Sequence, residues 1–323
     1  MRRLILTNYQ SPGDVVMLTA AVRDLHRSYP GGFLTDVRTA CAQLWENNPD
    51  ITPLDESGSE TEVIACHYPL IHRSNSVPVH FLHGFIDYLN RTLDLQIELS
   101  EFRGAIYLSE DEKRWRSQVA EITGGDPSFW IISAGGKTDF TVKWWDWRRY
   151  QEVVDYFRGE ILFVQIGDAS HYHPPLENVI DLRGRTDLRQ LVRLVYHSEG
   201  LLSPVSLPMH LAAAVEVRPG RPKNRPCVIV AGGREPPHWE AYPHHQFIHT
   251  VGSLPCCDNG GCWKARTVPL GDGADSDLPE NLCVDVRGAL PACMDAITAG
   301  DVIRRIEYYR NGGMSAFCAN RQS

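Results

Sequence analysis

The sequence predicts an α/β protein of two domains, built on parallel sheets with helices on both faces. Three observations lead there. Short apolar runs alternate along the chain with amphipathic helical patterns, the order that produces a parallel sheet. The chain has 323 residues, more than one core usually organises. Both halves follow the same strand–loop–helix grammar, although no sequence repeat is visible. Composition sets further bounds: 43% hydrophobic and 22% charged residues belong to a soluble globular chain rather than a disordered one. A formal net charge of −8 argues against a nucleic-acid or membrane surface. Met1-Arg2-Arg3 runs directly into Leu4 to Thr7, too short for a signal-peptide core, and no run approaches the length of a transmembrane segment. A cytoplasmic location is expected.

Taken in order, Leu4 to Thr7 is a first strand, and Asn8 to Gly13 is a turn rich in breakers. Asp14 stands where a helix begins, and Val15, Leu18, Val22, Leu25 and Tyr29 hold that helix's apolar stripe until Pro30-Gly31-Gly32. An aspartate there is a helix cap or, with its oxygens reachable, a general base. Phe33 to Val37 and Val63 to Ala65 are further strands. The stretch His67 to Ser74, with His72 and Arg73, is a binding loop or a plain polar surface loop. Phe81, Leu82, Phe85, Ile86 and Leu89 make a second amphipathic helix. Ser109 with Glu112 has capping-box spacing, and the domain junction falls near residues 100–120, giving domains 1–115 and 116–323.

The second half opens on a strand, Phe129 to Ser133, followed by a glycine-containing loop with Lys137 and Lys143. Trp144 to Tyr150 is expected to begin a helix, its first residue Trp144, and Ile161 to Ile166 is a strand. Residues 179–214 are the centre of the chain. Val179 to Leu182 reads as a strand, and Leu188, Leu191, Val192 and Val195 form one apolar helix face that Gly200 is expected to close in a left-handed conformation. Leu201-Leu202 then leads to Ser206, two residues before Pro208 and a helix carrying Met209 and His210. A hydroxyl and an imidazole thus stand at a helix N-terminus beyond a strand's carboxyl end, a favourable place for phosphate, or simply an ordinary capped helix. Cys227 to Ala231 is another strand, and Ala299 to Tyr309 is a last helix, drawn at 299–310.

Several of these segments resemble glycosyltransferase family 9, the heptosyltransferases that use ADP-heptose. Ser11-Pro12-Gly13-Asp14-Val15-Val16 is similar to the family's Gly-Asp-Val loop, and Lys143-Trp144-Trp145 to its Lys-x-Trp. Asp181 to Leu188, including Gly184 and Thr186, resembles its strand–Gly–Lys–Thr–Ser–Leu segment. Ser206 to Ala214 resembles its Asp-Ser/Thr-Gly-Pro-x-His-Leu-Ala-Ala-Ala signature, and Gly233 to Trp239 its Gly-Pro-Thr-x-Pro-x-x-Trp. Cys293-Met294-Asp295-Ala296-Ile297 echoes the family's Cys-Leu-x-x-Ile ending.

The resemblance implies a GT-B architecture, two Rossmann-like domains facing across a cleft, with an N-terminal acceptor domain and a C-terminal nucleotide-sugar domain. It implies an inverting transfer of a sugar, heptose by analogy, from an ADP-linked donor to a hydroxyl on a saccharide or protein. Asp14 matches the catalytic base, with Gly13 beside it; His67, His72 and Arg73 are acceptor-side candidates from a stretch with no counterpart in the family pattern, so the acceptor stays open. Lys143, Thr186, Ser206 and His210 match the donor side, where Ser133, Gly184, Leu207 and Met209 are also expected. No catalytic metal and no nucleic-acid partner are expected. Two departures stand out: the signature's acid falls at Val205 and its glycine at Leu207. They motivate a rival reading, a catalytically silent nucleotide-sugar-binding protein. A sugar epimerase on the same architecture is a third.

Five of the nine cysteines lie in a C-terminal segment, 253–296. In a reducing compartment such clustering points to metal more than to disulfides. Cys257, Cys262, Cys283 and Cys293, with Cys256 as the alternate, are expected to hold a structural zinc or iron. The autotransporter heptosyltransferase branch of the family carries a similar iron-bearing finger. Free reduced thiols are the alternative.

Overall fold

The structure, a computed structural model, describes residues 1–58 and 60–313, apart from the side chains of Pro69 and His72. It divides into two α/β units. The first comprises Met1–Trp115 together with His210–Glu216. Its strands are β1 (Arg2–Asn8), β2 (Phe33–Thr39) and β3 (Thr61–Ala65), and its helices include α1 (Pro12–Ser28), α2 (Leu82–Leu93) and α3 (Glu110–Arg114). The sheet is parallel, in the order β2-β1-β3. Leu4, Ile5 and Leu6 of the central strand are all buried, which is why the sequence reads there as a continuous apolar run rather than an alternating one. Helix α1 is buried from Val15 through Leu25, including the ion pair of Arg23 with Asp24 at 2.8 Å. That pair is tolerable inside because its remaining bonds are satisfied. Arg23 also donates to the carbonyls of Glu101 and Arg103, and Ser100 donates to Asp24.

The second unit comprises Arg116–Met209 and residues from Val217 onward. Here α4 (Gln118–Thr123), β4 (Phe129–Ile132), α5 (Trp147–Tyr156), β5 (Leu162–Gln165), β6 (Ile180–Asp181), α6 (Leu188–His197), β7 (Gly200–Pro204), α7 (Leu207–Ala214), β8 (Cys227–Gly232), α8 (Pro237–Glu240), β9 (His245–His249), α9 (Ala292–Asp295) and α10 (Ala299–Arg310) follow in sequence. Helix α7 begins in this unit and, from His210, packs in the first. The sheet is fully parallel, with strand order β6-β5-β4-β7-β8-β9. This is the doubly wound dinucleotide-fold order, and its direction reverses between β4 and β7. One core, with Trp130, Phe163, Val228, Val230, Val302 and Ile306, lies beneath it.

Local signals set the helix starts. Ser109 with Glu112, Asp187 with Gln190 and Thr298 with Asp301 each form a capping box. Three sequence expectations are corrected. Helix α5 starts at Trp147 behind an Asp146 cap, not at Trp144, because residues 138–143 form a tighter 3₁₀ turn and Trp145 is drawn into the core, donating to the Ile297 carbonyl at 2.9 Å. The strand expected from Val179 to Leu182 is two residues long. Gly200 does not cap α6 in a left-handed conformation: it opens β7, while Ser198 caps the helix. The glycine is needed there for space, since a Cβ would lie 2.6 Å from Trp130 Cζ2. Gly200→Ala is therefore expected to destabilise the chain by about 2 kcal/mol, the usual cost of overpacking a rigid core. An unchanged urea midpoint would refute this.

Candidate functional site

In the first unit the candidate residues gather at the carboxyl end of β1. The chain leaves the strand through Tyr9, Gln10 and Ser11 and enters α1 at Pro12, where proline's missing N–H costs nothing. Asp14 lies in the first turn, half buried, and its Oδ2 accepts from the Ser11 N–H at 2.9 Å. It is thus both a cap and a carboxylate at a strand's end. Gly13 makes room for His210: a Cβ on Gly13 would stand 3.1 Å from His210 Cδ2. The donor-side expectation for His210 is therefore joined by a contact beside the candidate base. Cys41 lies near enough that burial first, and the Asp14 charge second, push its thiol pKa up. His67 is exposed and packs edge-on against Tyr88, with ring centroids 5.6 Å apart. Arg73 is exposed at the end of the 3₁₀ turn Pro69–Arg73. The expectation for the His72 side chain lies outside the described residues.

In the second unit Ser133 and Ser206 flank the point where the sheet reverses direction, while Gly184 and Thr186 follow the edge strand β6. Open sheets of this kind bind ligands outside the carboxyl ends of their strands at that point. Ser133 follows β4 directly, one residue beyond the strand expected to include it, and is buried with its N–H bonded to the Leu202 carbonyl at 2.9 Å. Beyond β7, Ser206 Oγ is 3.1 Å from Ser203 Oγ and stands just before α7. Val205 and Met209 are buried, whereas Leu207 is partly exposed. Gly184, with φ of +65°, turns the chain after β6, its N–H bonded to the Gly167 carbonyl at 2.7 Å. Thr186 is half buried next to it. These loops interlock further: His173 hydrogen-bonds the Ala134 carbonyl through Nδ1 at 2.8 Å, and Arg183 donates to the His173 carbonyl.

Burial holds the His173 pKa below its ordinary value. An imidazole whose folded pKa is lowered takes up its proton more readily when unfolded. Its contribution is thus present above the unfolded value, near 6.5, and is lost as pH falls below it. We expect stability to decline between pH 7.5 and 5.5 and to decline less in His173→Gln. Parallel urea curves at the two pH values for both chains would refute this.

Lys143 is not a lone cation. Its Nζ is 2.7 Å from Glu235 Oε1, and Glu235 is itself paired with Arg234. Burial raises the Glu235 carboxyl pKa, but Lys143 and Arg234 outweigh it, so the group lies below its ordinary value and is ionised. Sequence reading gave Glu235 no role, although it lies within the Gly233 to Trp239 motif.

The cysteine-rich segment adjoins this pair. A small cavity is lined by Cys256, Cys262, Cys283 and Cys293, together with Val142, Arg234 and Lys264. Cys256 lines this cavity and Cys257 does not, though Cys257 neighbours the same thiols; the buried Cys257 thiol donates to the Thr250 carbonyl. Burial, then the neighbouring thiols, push Cys256 up to about 11, and burial does the same for Cys293, up to about 11. Four thiols on one ion-sized cavity are a donor set suited to zinc or iron. Among the described residues no group of three ligand side chains is drawn to coordinating geometry.

No family model and no curated protein matches the chain. Solved structures do. A glycosyl transferase family 9 protein from Veillonella parvula aligns with TM-score 0.59 at 18% identity over 78% of this chain and 87% of its own. The E. coli ADP-heptose LPS heptosyltransferase II aligns with TM-score 0.59 at 17% identity, over 95% of this chain and 98% of its own. TibC from enterotoxigenic E. coli, described as an iron-containing dodecameric glycosyltransferase, aligns with TM-score 0.60 at 15% identity over 96% of this chain and 76% of its own. The fold is the two-unit α/β architecture of GT-B glycosyltransferases. No helix among the described residues is long and apolar enough to cross a membrane.

Proposed function

We propose that this chain is an inverting glycosyltransferase that moves a sugar of the heptose type from an ADP-linked donor to a hydroxyl on a saccharide or protein acceptor. The observation that carries the reading is Asp14. It is a carboxylate at the end of a parallel strand, fixed by the Ser11 N–H and half open to solvent. Asp14 takes the proton of the acceptor hydroxyl as that oxygen attacks the anomeric carbon. The bond from that carbon to the diphosphate oxygen breaks on the opposite face, so the configuration inverts. The electron pair leaves with the nucleoside diphosphate, whose charge is met by Lys143 and by N–H groups at the start of α7. Gly13, His67, His72 and Arg73 serve the acceptor side. Ser133, Gly184, Thr186, Ser206, Leu207 and Met209 serve the donor side, and His210 borders Asp14. Cys256, Cys262, Cys283 and Cys293 would hold a structural zinc or iron, which ties loops together and takes no part in transfer.

The test has two steps. A thermal-shift comparison of ADP-, GDP-, UDP- and CMP-linked sugars should give selective stabilisation by the ADP-linked one. ADP-heptose with a panel of heptose-accepting glycans should then yield a product of inverted anomeric configuration by NMR. Donor binding without turnover on any acceptor would favour the silent-binder reading, and turnover with no acceptor the epimerase. Absence of any nucleotide-sugar shift would overturn the proposal.

A further inference from the structure

We propose that Glu235 is a positioning residue: set by Arg234 and by the cysteine-rich segment, it aims the Lys143 ammonium at the donor diphosphate. The inference rests on the reading above that Lys143 meets that diphosphate, and it adds a residue which that reading does not contain.

Topology comes first. Lys143 belongs to the segment that follows β4, and Glu235 to the one that follows β8, while the sheet order is β4-β7-β8. The two segments therefore leave the sheet on either side of β7, whose end runs into Ser206 and α7. A bond between them flanks the point where a phosphate would sit. At the end of β7 itself stands Val205, buried and without charge. The carboxylate of this region comes instead from the segment after the neighbouring strand β8.

Burial then separates the roles of the partners. Glu235 is 4% exposed, whereas the Lys143 side chain is 21% exposed. Glu235 Oε2 is itself buried, so the carboxylate is not presented at the surface to a ligand. It acts through the lysine. Arg234 fixes it from behind: the guanidinium stacks on Phe140 at 4.7 Å and on Trp263 at 5.4 Å, and its Nε donates to the Lys264 carbonyl at 2.7 Å. Two cations around one anion leave a net charge of about +1, with the ammonium as the exposed end.

The cysteine-rich segment holds both halves of the device. On one side Cys262 and Trp263 donate through their N–H groups to the carbonyls of Gly233 and Arg234, at 3.2 and 3.0 Å. Trp263 adopts φ of +56°, a strained backbone for a bulky residue, while its ring backs Arg234. On the other side Ala265 accepts from the Val142 N–H, Arg266 donates to the Thr138 carbonyl, and Thr267 donates to Thr141 Oγ1. The turn that carries Lys143 and the turn that carries Glu235 are thus bound to one strip of chain, which also forms the thiol cavity.

The test is a double-mutant cycle read by calorimetric binding of ADP and, separately, of inorganic pyrophosphate. With Lys143 present, Glu235→Gln leaves two cations facing each other, and Lys143 swings off its aim. Binding of both probes should weaken about tenfold, the size of coupling common for residues in direct contact. In the K143M background the same substitution should change binding less than twofold. Equal losses in both backgrounds would mean a merely structural role and would overturn the inference, as would unchanged or tighter binding in Glu235→Gln. Pyrophosphate binding with the full coupling, but no ADP binding, would sink the donor reading and leave the positioning role standing. Binding of neither probe by the unaltered chain would overturn the inference, because Lys143 would then meet no diphosphate. Should Glu235→Gln fail to fold, Glu235→Asp keeps the charge and shortens the reach. It should weaken both probes severalfold only when Lys143 is present.

Discussion

Asp14→Asn is expected to lower the transfer rate by about 10²- to 10⁴-fold, the range that a positioned general base contributes. Donor affinity should stay within about twofold, because in the proposed mechanism the residue takes a proton from the acceptor and does not hold the nucleotide. The substitution is a clean one on structural grounds. Asparagine keeps an oxygen to accept from the Ser11 N–H, now bonded to Oδ2 at 2.9 Å, so the start of α1 is preserved. The basicity is lost together with the negative charge. Single-turnover rates and donor binding, measured on the same preparation, check both halves. A variant with more than a tenth of the original rate would remove Asp14 from the mechanism. A variant that had lost donor binding as well would indicate a collapsed loop.

Cys262→Ser and Cys283→Ser are each expected to abolish metal retention and to lower the thermal midpoint by about 10 °C, as loss of a few kcal/mol does in a domain of this size. The reason is the poverty of the segment's own core. Val268, Leu270, Leu278, Val284 and Val286 are all exposed. What holds residues 262–283 is polar: the buried Arg266 binds Asp272 at 2.7 Å and Asp277 at 2.5 Å. Such a strip lacks the apolar burial that keeps the six-stranded sheet together, so a metal tie matters more there. Metal analysis and limited proteolysis should show one stoichiometric ion in the unaltered chain and cleavage within 253–296 in the variants. Cys256→Ser should lose the ion and Cys257→Ser should keep it, following the cavity lining. Absence of metal from protein purified without chelators would refute the assignment and leave reduced thiols.

Much of the fold is legible in the chain because strands and helices here rest on local patterns. Leu4-Ile5-Leu6 and Cys227-Val228-Ile229-Val230 are buried on both faces and read as unbroken apolar runs. Ser109 with Glu112 announces its helix by chemistry three residues long. Misreadings arose where a distant partner decides. Gly200 looks like a cap and is in fact the floor beneath Trp130, from another strand. Trp144-Trp145 looks like a helix start, but the core claims Trp145 through Ile297, far along the chain. The site divides in the same way. Asp14 and Ser206 are visible as residues at element boundaries. Glu235 is not, because its meaning is its bond to Lys143, and that bond exists only once β4, β7 and β8 lie side by side. Arg266 escaped notice for the same reason, since its two aspartates gain significance only when the loop folds back.

The capping bond of Asp14 bears on how such chains diverge. Most groups recruited for chemistry are poorly suited to stability, and a lineage that abandons the reaction is free to replace them. Here the same carboxylate also secures the first turn of a helix buried along most of its length. Replacing it with a residue that cannot accept that bond would cost about 1 kcal/mol even if no substrate were ever turned over. Selection for folding alone would retain an aspartate or asparagine at this position. The presence of the aspartate in a distant homologue therefore does not mark that homologue as active, and on the proposed mechanism an asparagine there is the substitution that loses activity while the fold is kept.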